Sequence, residues 1–309
     1  MRILLLGGNG LLGCALQHAL RTCRVRHEFV APSRQQLDLL DPRLVRDYFG
    51  AHRFDLVVHA AGRVGGIQAN MEDPVGFLYE NAVLGLNVIQ AASDADIPSL
   101  LYIGSSCMYP RNHRNPLREE DLLAAPLEPT NEGYALAKIV GAKLCEYQAQ
   151  QRRRNYKTLI LCNLFGPHDR FEAGRSHLVA SILCRLHGAK VRGAPTVEIW
   201  GDGTARREFV YVEDVADFIV DILPRLADLP NYLNVGYGRD FSVNEYYAMA
   251  REVVGYEGSF VHDARKPVGM QCKLMDSSRA AAFDWKPKTS IQAGMRKTYD
   301  FFLEHHKEA

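Results

Sequence analysis

An excess of charge of either sign is missing from this chain: 37 lysines and arginines stand against 36 aspartates and glutamates, a formal charge of +1 over 309 residues. The basic footprint with which proteins hold nucleic-acid phosphates is therefore absent. So is the charge excess, with low hydrophobicity, that keeps a chain unfolded. No apolar run approaches the roughly 18 residues of a membrane span. The N-terminal run Ile3-Leu4-Leu5-Leu6 stops at glycines, too short for the core of a signal peptide. The seven cysteines are an odd number without a C-x-x-C pair, which argues against a disulfide framework and against a tetrahedral zinc site. Internal repeats and low-complexity linkers are lacking as well. What these absences leave is a reduced, cytoplasmic protein with no nucleic-acid or membrane partner and no metal, long enough to bury a core unaided.

What is present is an alternation. Short apolar runs at Ile3–Leu6, Phe29–Ala31, Asp55–His59, Leu100–Gly104 and Thr158–Cys162 read as strands. Amphipathic stretches at Leu11–Leu20, Pro42–Phe49, Pro74–Ala92 and Tyr134–Arg152 read as helices. Strands apolar on both faces with helices between them predict an α/β fold, a doubly wound parallel sheet of Rossmann type. After Leu164 the alternation breaks up: a helix-like stretch Ser176–His187, β-like runs Val197–Trp200, Phe209–Val212 and Tyr232–Val235, and amphipathic segments Val243–Val254 and Ile291–His305. The expected division is a dinucleotide-binding domain of residues 1–164 with 208–235, and a smaller mixed α/β substrate domain of residues 165–207 with 236–309. Glu208–Leu226 is expected to return to the first domain as an extra strand and helix. The cluster Arg152-Arg153-Arg154 reads as cations complementing a helix C-terminus.

Glycines 7, 10 and 13 fit G-x-x-G-x-x-G, and 8, 10 and 13 also fit G-x-G-x-x-G, directly between the first strand and the first helix. In either register, missing Cβ atoms let the backbone turn sharply and approach a pyrophosphate at a helix N-terminus. The second strand ends Ala31-Pro32-Ser33-Arg34, with an arginine and a hydroxyl where an NAD site usually places a carboxylate. That favours NADPH over NADH, unless Arg34 is simply a solvated turn residue.

Tyr134 and Lys138, four residues apart, project from one helix face. The ammonium and an oxidised nicotinamide would each lower the phenol's pKa toward neutrality. The run Tyr102-Ile103-Gly104-Ser105-Ser106-Cys107-Met108-Tyr109-Pro110 closes the fourth strand at the carboxyl edge of the sheet. If extended, Ile103, Ser105 and Cys107 point to one side. Ser105 can then bond a substrate carbonyl beside Tyr134, with Cys107 further along the same substrate. Asn163, after the fifth strand, is expected to face the same cleft.

With these residues together, the chain resembles the extended short-chain dehydrogenase/reductase family, and within it the GDP-L-fucose synthase branch. Val64-Gly65-Gly66-Ile67, Gly104 to Pro110, Leu127-Glu128-Pro129-Thr130-Asn131-Glu132, Asn163 to Asp169, Ser176-His177 and Arg206-Arg207-Glu208-Phe209 carry the resemblance over nearly the whole chain. It implies an NADPH-dependent enzyme acting on a GDP-linked 4-keto-6-deoxy sugar. Cys107 and His177 would exchange protons at C3 and C5. Ser105 would polarise the C4 carbonyl and Tyr134 would protonate its oxygen, with Lys138 holding the nicotinamide ribose. The resemblance further implies that Gly7, Asn9, Gly10, Leu11, Leu12, Gly13, Ser33, Arg34, Ala60, Ala61, Tyr134, Lys138, Asn163, Leu164 and His177 line the NADPH site. Ser106, Asn163, Arg185, Trp200 and Arg207 would meet the GDP-sugar. A homodimer would form through the two long helices, Pro74–Ala92 and Tyr134–Arg152.

Sister reactions on a 3,6-dideoxy sugar, giving GDP-L-colitose, or on a 4-keto heptose use the same residues. Dehydratases of this scaffold carry an acidic pair where Cys107 and Met108 stand, so water elimination is disfavoured. A non-catalytic dinucleotide-binding module would keep the glycines but has no use for the other five residues together. One loop, Lys266-Pro267-Val268-Gly269-Met270-Gln271-Cys272-Lys273, departs from the family pattern at Val268 and Cys272, and no role is carried over to it.

Overall fold

A computed structural model describes residues 1–172, 176–266 and 269–305. Val268, with Pro267, lies outside the described residues. Among the described residues twelve strands run in chain order: β1 Arg2–Leu6, β2 Glu28–Val30, β3 Leu56–His59, β4 Ser99–Ser105, β5 Asn155–Leu161, β6 Asn163–Phe165, β7 Thr196–Trp200, β8 Arg206–Arg207, β9 Phe209–Tyr211, β10 Tyr232–Val235, β11 Phe241–Ser242 and β12 Ser259–Asp263. The α-helices are α1 Leu11–Thr22, α2 Pro42–Ala51, α3 Ile67–Glu72, α4 Pro74–Asp94, α5 Glu132–Arg152, α6 Leu178–Val191, α7 Val212–Ile222, α8 Val243–Val254, α9 Ser278–Ala281 and α10 Ile291–His305.

Six strands make one sheet in the order β10-β5-β4-β3-β1-β2, every pairing parallel. The expected doubly wound α/β fold is the one observed. From β1 the chain moves outward to β2, then returns to β3 on the other side. The carboxyl ends of β1 and β3 therefore flank a topological switch point, the place where open α/β sheets bind ligands. Alternation along the strands sends Ile3 and Leu5 into a core with α1 and α7, and Leu4 and Leu6 into one with α2, α4 and α5. A third core joins β6, β7 and β9 to α6, α8 and α10.

Local chemistry sets the helix ends. Asp41 accepts from the Arg43 and Leu44 amides at the start of α2, and Asp73 from the Gly76 amide at the start of α4, each with proline at the first helical position. Ser242 and Glu245 close a reciprocal capping box on α8, which stops at Gly255 in the left-handed region (φ 69°). Arg152 is the last residue of α5, Arg153 is its left-handed cap, and Arg154 pairs with Asp96.

One expectation about the second half changes. Phe209–Tyr211 does not join the main sheet as the extra strand; it pairs in parallel with Asn163–Phe165 in a ribbon of its own. The added edge strand is Tyr232–Val235, whose register is fixed on Thr158–Leu161. The helix after Phe209–Tyr211, α7, does share the α1 side of the sheet.

Candidate active site

The glycine turn sits at the switch point. Gly7 has φ +86°, and a Cβ there would lie 2.5 Å from the Ala61 nitrogen and 2.7 Å from the Ala60 carbonyl carbon. A Cβ on Gly13 would lie 2.0 Å from the Gly7 oxygen. Gly10 caps α1 with no side-chain acceptor on its first amides. The strictest positions are Gly7, in a left-handed turn, and Gly13, against backbone; a Cβ on Gly8 would press on the Ala31 Cβ at 3.0 Å, while one on Gly10, at the open helix N-terminus, would meet the Gly7 oxygen at 3.5 Å. A cradle from which side chains are excluded, opening on unsatisfied N–H groups, suits a pyrophosphate. Gly13→Ala is expected to weaken NADPH binding at least about tenfold, measured by fluorescence titration, because the new methyl must push Gly7 out of the cradle.

Ser33 and Arg34 follow β2. The Arg34 side chain is 74% exposed, and among the described residues its one ion pair is a loose one at 3.8 Å to Asp38, so the guanidinium is available to an anion. Ala60 and Ala61 follow β3, where the Ala60 amide bonds to the Leu6 carbonyl. Asn163 is placed differently from expectation. Its amide donates to the Glu208 carbonyl at 2.9 Å, fastening β6 to β9, so that donor is not turned to the cleft. Leu164 packs against the core beside it.

At the end of β4 the backbone leaves the extended conformation at Ser105 and makes one 3-10 turn, Ser106–Met108. The cause is local: the Ser105 hydroxyl accepts the Cys107 amide at 3.2 Å. The expected alternation of Ile103, Ser105 and Cys107 on one side therefore ends at Ser105. Cys107 reaches the site from the turn, and Ser106 is buried, 2% exposed.

Lys138 is buried, and its ammonium donates to the Ile103 carbonyl at 3.0 Å. Loss of hydration lowers its pKa to about 8. The ammonium lies 5.9 Å from the Tyr134 ring centroid. Tyr134 does not show the lowered pKa expected from that neighbour: burial first, then Cys107, push the phenol up, and a hydrogen bond with Ser105 is what opposes them. A phenol that keeps its proton at neutral pH suits a donor to a carbonyl oxygen.

Beneath Lys138, in-register positions of β3, β4 and β5 carry His59, Tyr102 and Thr158. Both His59 ring nitrogens are buried without a partner, and burial, then Lys138, lower its pKa to about 3. The unfolded chain therefore binds a proton that the fold excludes between about pH 6.5 and 3. Stability contributed by neutral His59 is full above that window and falls as the pH drops through it. Buried Asp169 and Glu208, each raised to about 7 by burial, act in the opposite direction. They are common to wild type and variant, so a His59→Asn comparison isolates the histidine. Wild type is expected to lose about 2 kcal/mol more than the variant between pH 6.5 and 5, read from urea unfolding.

Further residues converge on Cys107. Asn131, at the start of α5, puts its side-chain amide 3.1 Å from the sulfur. Lys273 puts its ammonium at 3.6 Å. Arg207 also interacts electrostatically with Cys107, while its guanidinium bonds the carbonyls of Arg206 and Met270. Sequence reasoning assigned neither Asn131 nor Lys273. An asparagine before a helix reads as a cap, and the lysine sits in the loop that departs from the family pattern. His177 is the N-cap residue of α6, and burial, then Arg170, lower its pKa, which leaves a neutral imidazole near pH 7.

Arg185, on α6, and Trp200, on β7, form a separate group beside the third core. Arg185 donates to the Tyr247 hydroxyl at 2.9 Å and to the Glu198 carbonyl, and Trp200 is 39% exposed with the Lys266 ammonium 5.4 Å from its ring. An exposed indole with cations at hand can cover a nucleobase and face a diphosphate.

Similarity to known proteins covers the whole arrangement. The chain is 45% identical over 305 residues to a GDP-L-colitose synthase from Yersinia pseudotuberculosis, covering 98% of each protein. It is also 45% identical over 304 residues to a GDP-L-fucose synthase from Azorhizobium caulinodans, covering 98% of this chain and 96% of that protein. The solved structure of a GDP-mannoheptose C4 reductase from Campylobacter jejuni with NADP bound superimposes with a TM-score of 0.88 at 30% identity, covering 97% of this chain and 98% of that one. Residues 3–236 match the profile of one family. With its switch-point glycine cradle and the Tyr134–Lys138 helix beside it, the chain belongs to the NAD dependent epimerase/dehydratase family.

Proposed function

We propose that this protein is an NADPH-dependent epimerase–reductase that converts GDP-4-keto-6-deoxy-D-mannose to GDP-L-fucose. The observation that carries the reading is the gathering of Ser105, Cys107, Tyr134 and Lys138 at the carboxyl end of β4, next to the Gly7 cradle. The GDP-fucose and GDP-colitose relatives at 45% identity support it.

The 4-keto group makes the protons on C3 and C5 acidic. Cys107 and His177 remove a proton from one face and return one to the other, inverting each centre; a thiol and a neutral imidazole are both suited to this near pH 7. Bound NADPH supplies the hydride that reduces C4. Ser105 orients the carbonyl, Tyr134 donates its proton to the oxygen as it becomes a hydroxyl, and Lys138 holds the nicotinamide ribose from its seat on Ile103. Gly7, Gly10 and Gly13 admit the pyrophosphate, and Ser33 and Arg34 select the 2′-phosphate. Arg185, Trp200 and Arg207 take the GDP end. The seven free thiols accord with work in the reducing cytoplasm.

The test is incubation with GDP-4-keto-6-deoxy-D-mannose and NADPH in D2O, with product read by mass and NMR. Deuterium at both C3 and C5 of a reduced L-sugar is expected; reduction without deuterium would leave a simple C4 reductase. The colitose-type reading, in which the substrate lacks the C3 hydroxyl and C5 alone is inverted, is favoured if this substrate is refused and its 3-deoxy analogue is turned over.

The same reading includes a homodimer. On α4, Val75, Leu78, Tyr79 and Leu86 are exposed, and on α5 Leu136, Val140 and Tyr147. Apolar side chains on two adjacent helices make a face that a second copy would cover as a four-helix interface. Light scattering is expected to give twice the chain mass, and Tyr79→Glu with Val140→Glu to give the monomer.

A further inference from the structure

Cys107 is met by two hydrogen-bond donors from distant parts of the chain, and in both contacts its sulfur is the acceptor. The first donor is unusual for its position. Asn131 occupies the N-cap of α5, where an asparagine side chain ordinarily bonds the first free amides, yet it makes no such bond. Its nitrogen goes to the sulfur instead, and its oxygen is buried with no hydrogen-bond partner among the described residues. The second donor, Lys273, is 8% exposed, and among the described residues no carboxylate pairs with its ammonium. A buried ammonium without a counter-charge is costly to keep. The group that faces it is a thiol, which can become an anion.

Lys273 is also rigidly placed. The next amide, of Leu274, donates to the Asn115 side chain at 3.0 Å, and the Leu274 carbonyl accepts the Leu117 amide at 2.8 Å. The Met275 amide then donates to buried Glu208 at 3.1 Å. The backbone that carries the ammonium to Cys107 is thus held by three bonds to two separate segments, 115–117 and Glu208.

We propose that Lys273 and Asn131 are positioning residues that form a seat for the Cys107 sulfur anion, and so equip Cys107 for proton exchange at carbon. When the anion takes a substrate proton, the C–H bond breaks, an S–H bond forms and the electron pair moves onto the C4 oxygen. Reprotonation reverses the flow. Hydride transfer at C4 uses neither residue, so the seat serves the epimerisation half of the reaction. The substrate arm of this inference rests on the epimerase–reductase reading; the thiol arm does not.

The thiol arm is alkylation of Cys107 by iodoacetamide in the ligand-free protein at pH 7, followed by peptide mass spectrometry. Lys273→Met is expected to slow it about tenfold, with Cys14 and Cys23 alkylated at unchanged rates, and Lys273→Arg to restore most of the loss. In the substrate arm, Lys273→Met is expected to cut solvent-deuterium entry into the 4-keto sugar at least tenfold. It should leave hydride transfer from GDP-L-fucose to NADP within about threefold of wild type. Unchanged alkylation in Lys273→Met overturns the proposal, as does equal loss of deuterium entry and hydride transfer, which would make Lys273 a substrate-binding residue. If Lys273→Met does not fold, Lys273→Arg and Asn131→Ala carry the same alkylation test. Absence of turnover by the wild-type protein would overturn the functional reading while the alkylation result stood.

Discussion

Tyr134→Phe is expected to lower NADPH oxidation on the 4-keto sugar by roughly 10² to 10⁴-fold, the usual worth of a positioned proton donor. NADPH binding should stay within about twofold of wild type, because the cradle at Gly7, Gly10 and Gly13 and the Lys138 seat on Ile103 do not involve the hydroxyl. The size of the effect follows from the surroundings. Burial and Cys107 hold the proton on the phenol, and the Ser105 hydroxyl sits against it. The Lys138 ammonium lies 5.9 Å from the ring centroid and is anchored on the Ile103 carbonyl. Stopped-flow absorbance at 340 nm measures the step directly. Oxidation at the wild-type rate would remove Tyr134 from the chemistry.

The second large effect is a division of the reaction. Cys107→Ala is expected to reduce deuterium entry from solvent by about 10² to 10⁴-fold, while oxidation of GDP-L-fucose by NADP, which needs only the C4 step, falls less than about fivefold. The separation follows from geometry. Cys107 reaches the site from a 3-10 turn after Ser105, whereas Tyr134 and Lys138 reach it from α5. Removing the thiol deletes two side-chain contacts, to Asn131 and Lys273, and leaves the Cys107 amide on Ser105. Equal loss in both assays would show that Cys107 shapes the whole pocket.

Much of this site could be read along the chain because its parts are local. The glycine turn is seven residues long and lies between an apolar run and a helix, so its chemistry needs nothing beyond Gly13. Tyr134 and Lys138 share a helix face by spacing alone. The errors are equally physical. The Ser105 hydroxyl ended β4 two residues before the pattern would have carried it past Cys107, since a side-chain acceptor competes with the strand. The Asn163 side-chain nitrogen donates to a carbonyl 45 residues ahead in sequence, a partner that no local pattern announces. Burial, then Cys107, raise the proton affinity of the Tyr134 phenol in the ligand-free protein, and burial lowers that of Lys138.

By itself, the sequence determined a parallel α/β sheet, a phosphate-binding turn at its first strand, and the identities of the groups that can move protons. Hydrophobic periodicity and short-range stereochemistry specify those things, and they act over a few residues. The tertiary structure alone decided which groups meet. It brought Asn131 and Lys273 onto Cys107, set the His59, Tyr102 and Thr158 side chains in a row beneath Lys138, and sent Arg185 and Trp200 to a second cluster. Such meetings depend on strand order and on contacts between residues 24 to 166 apart in the chain, and burial, which sets the charge on each group, exists only once those segments have packed.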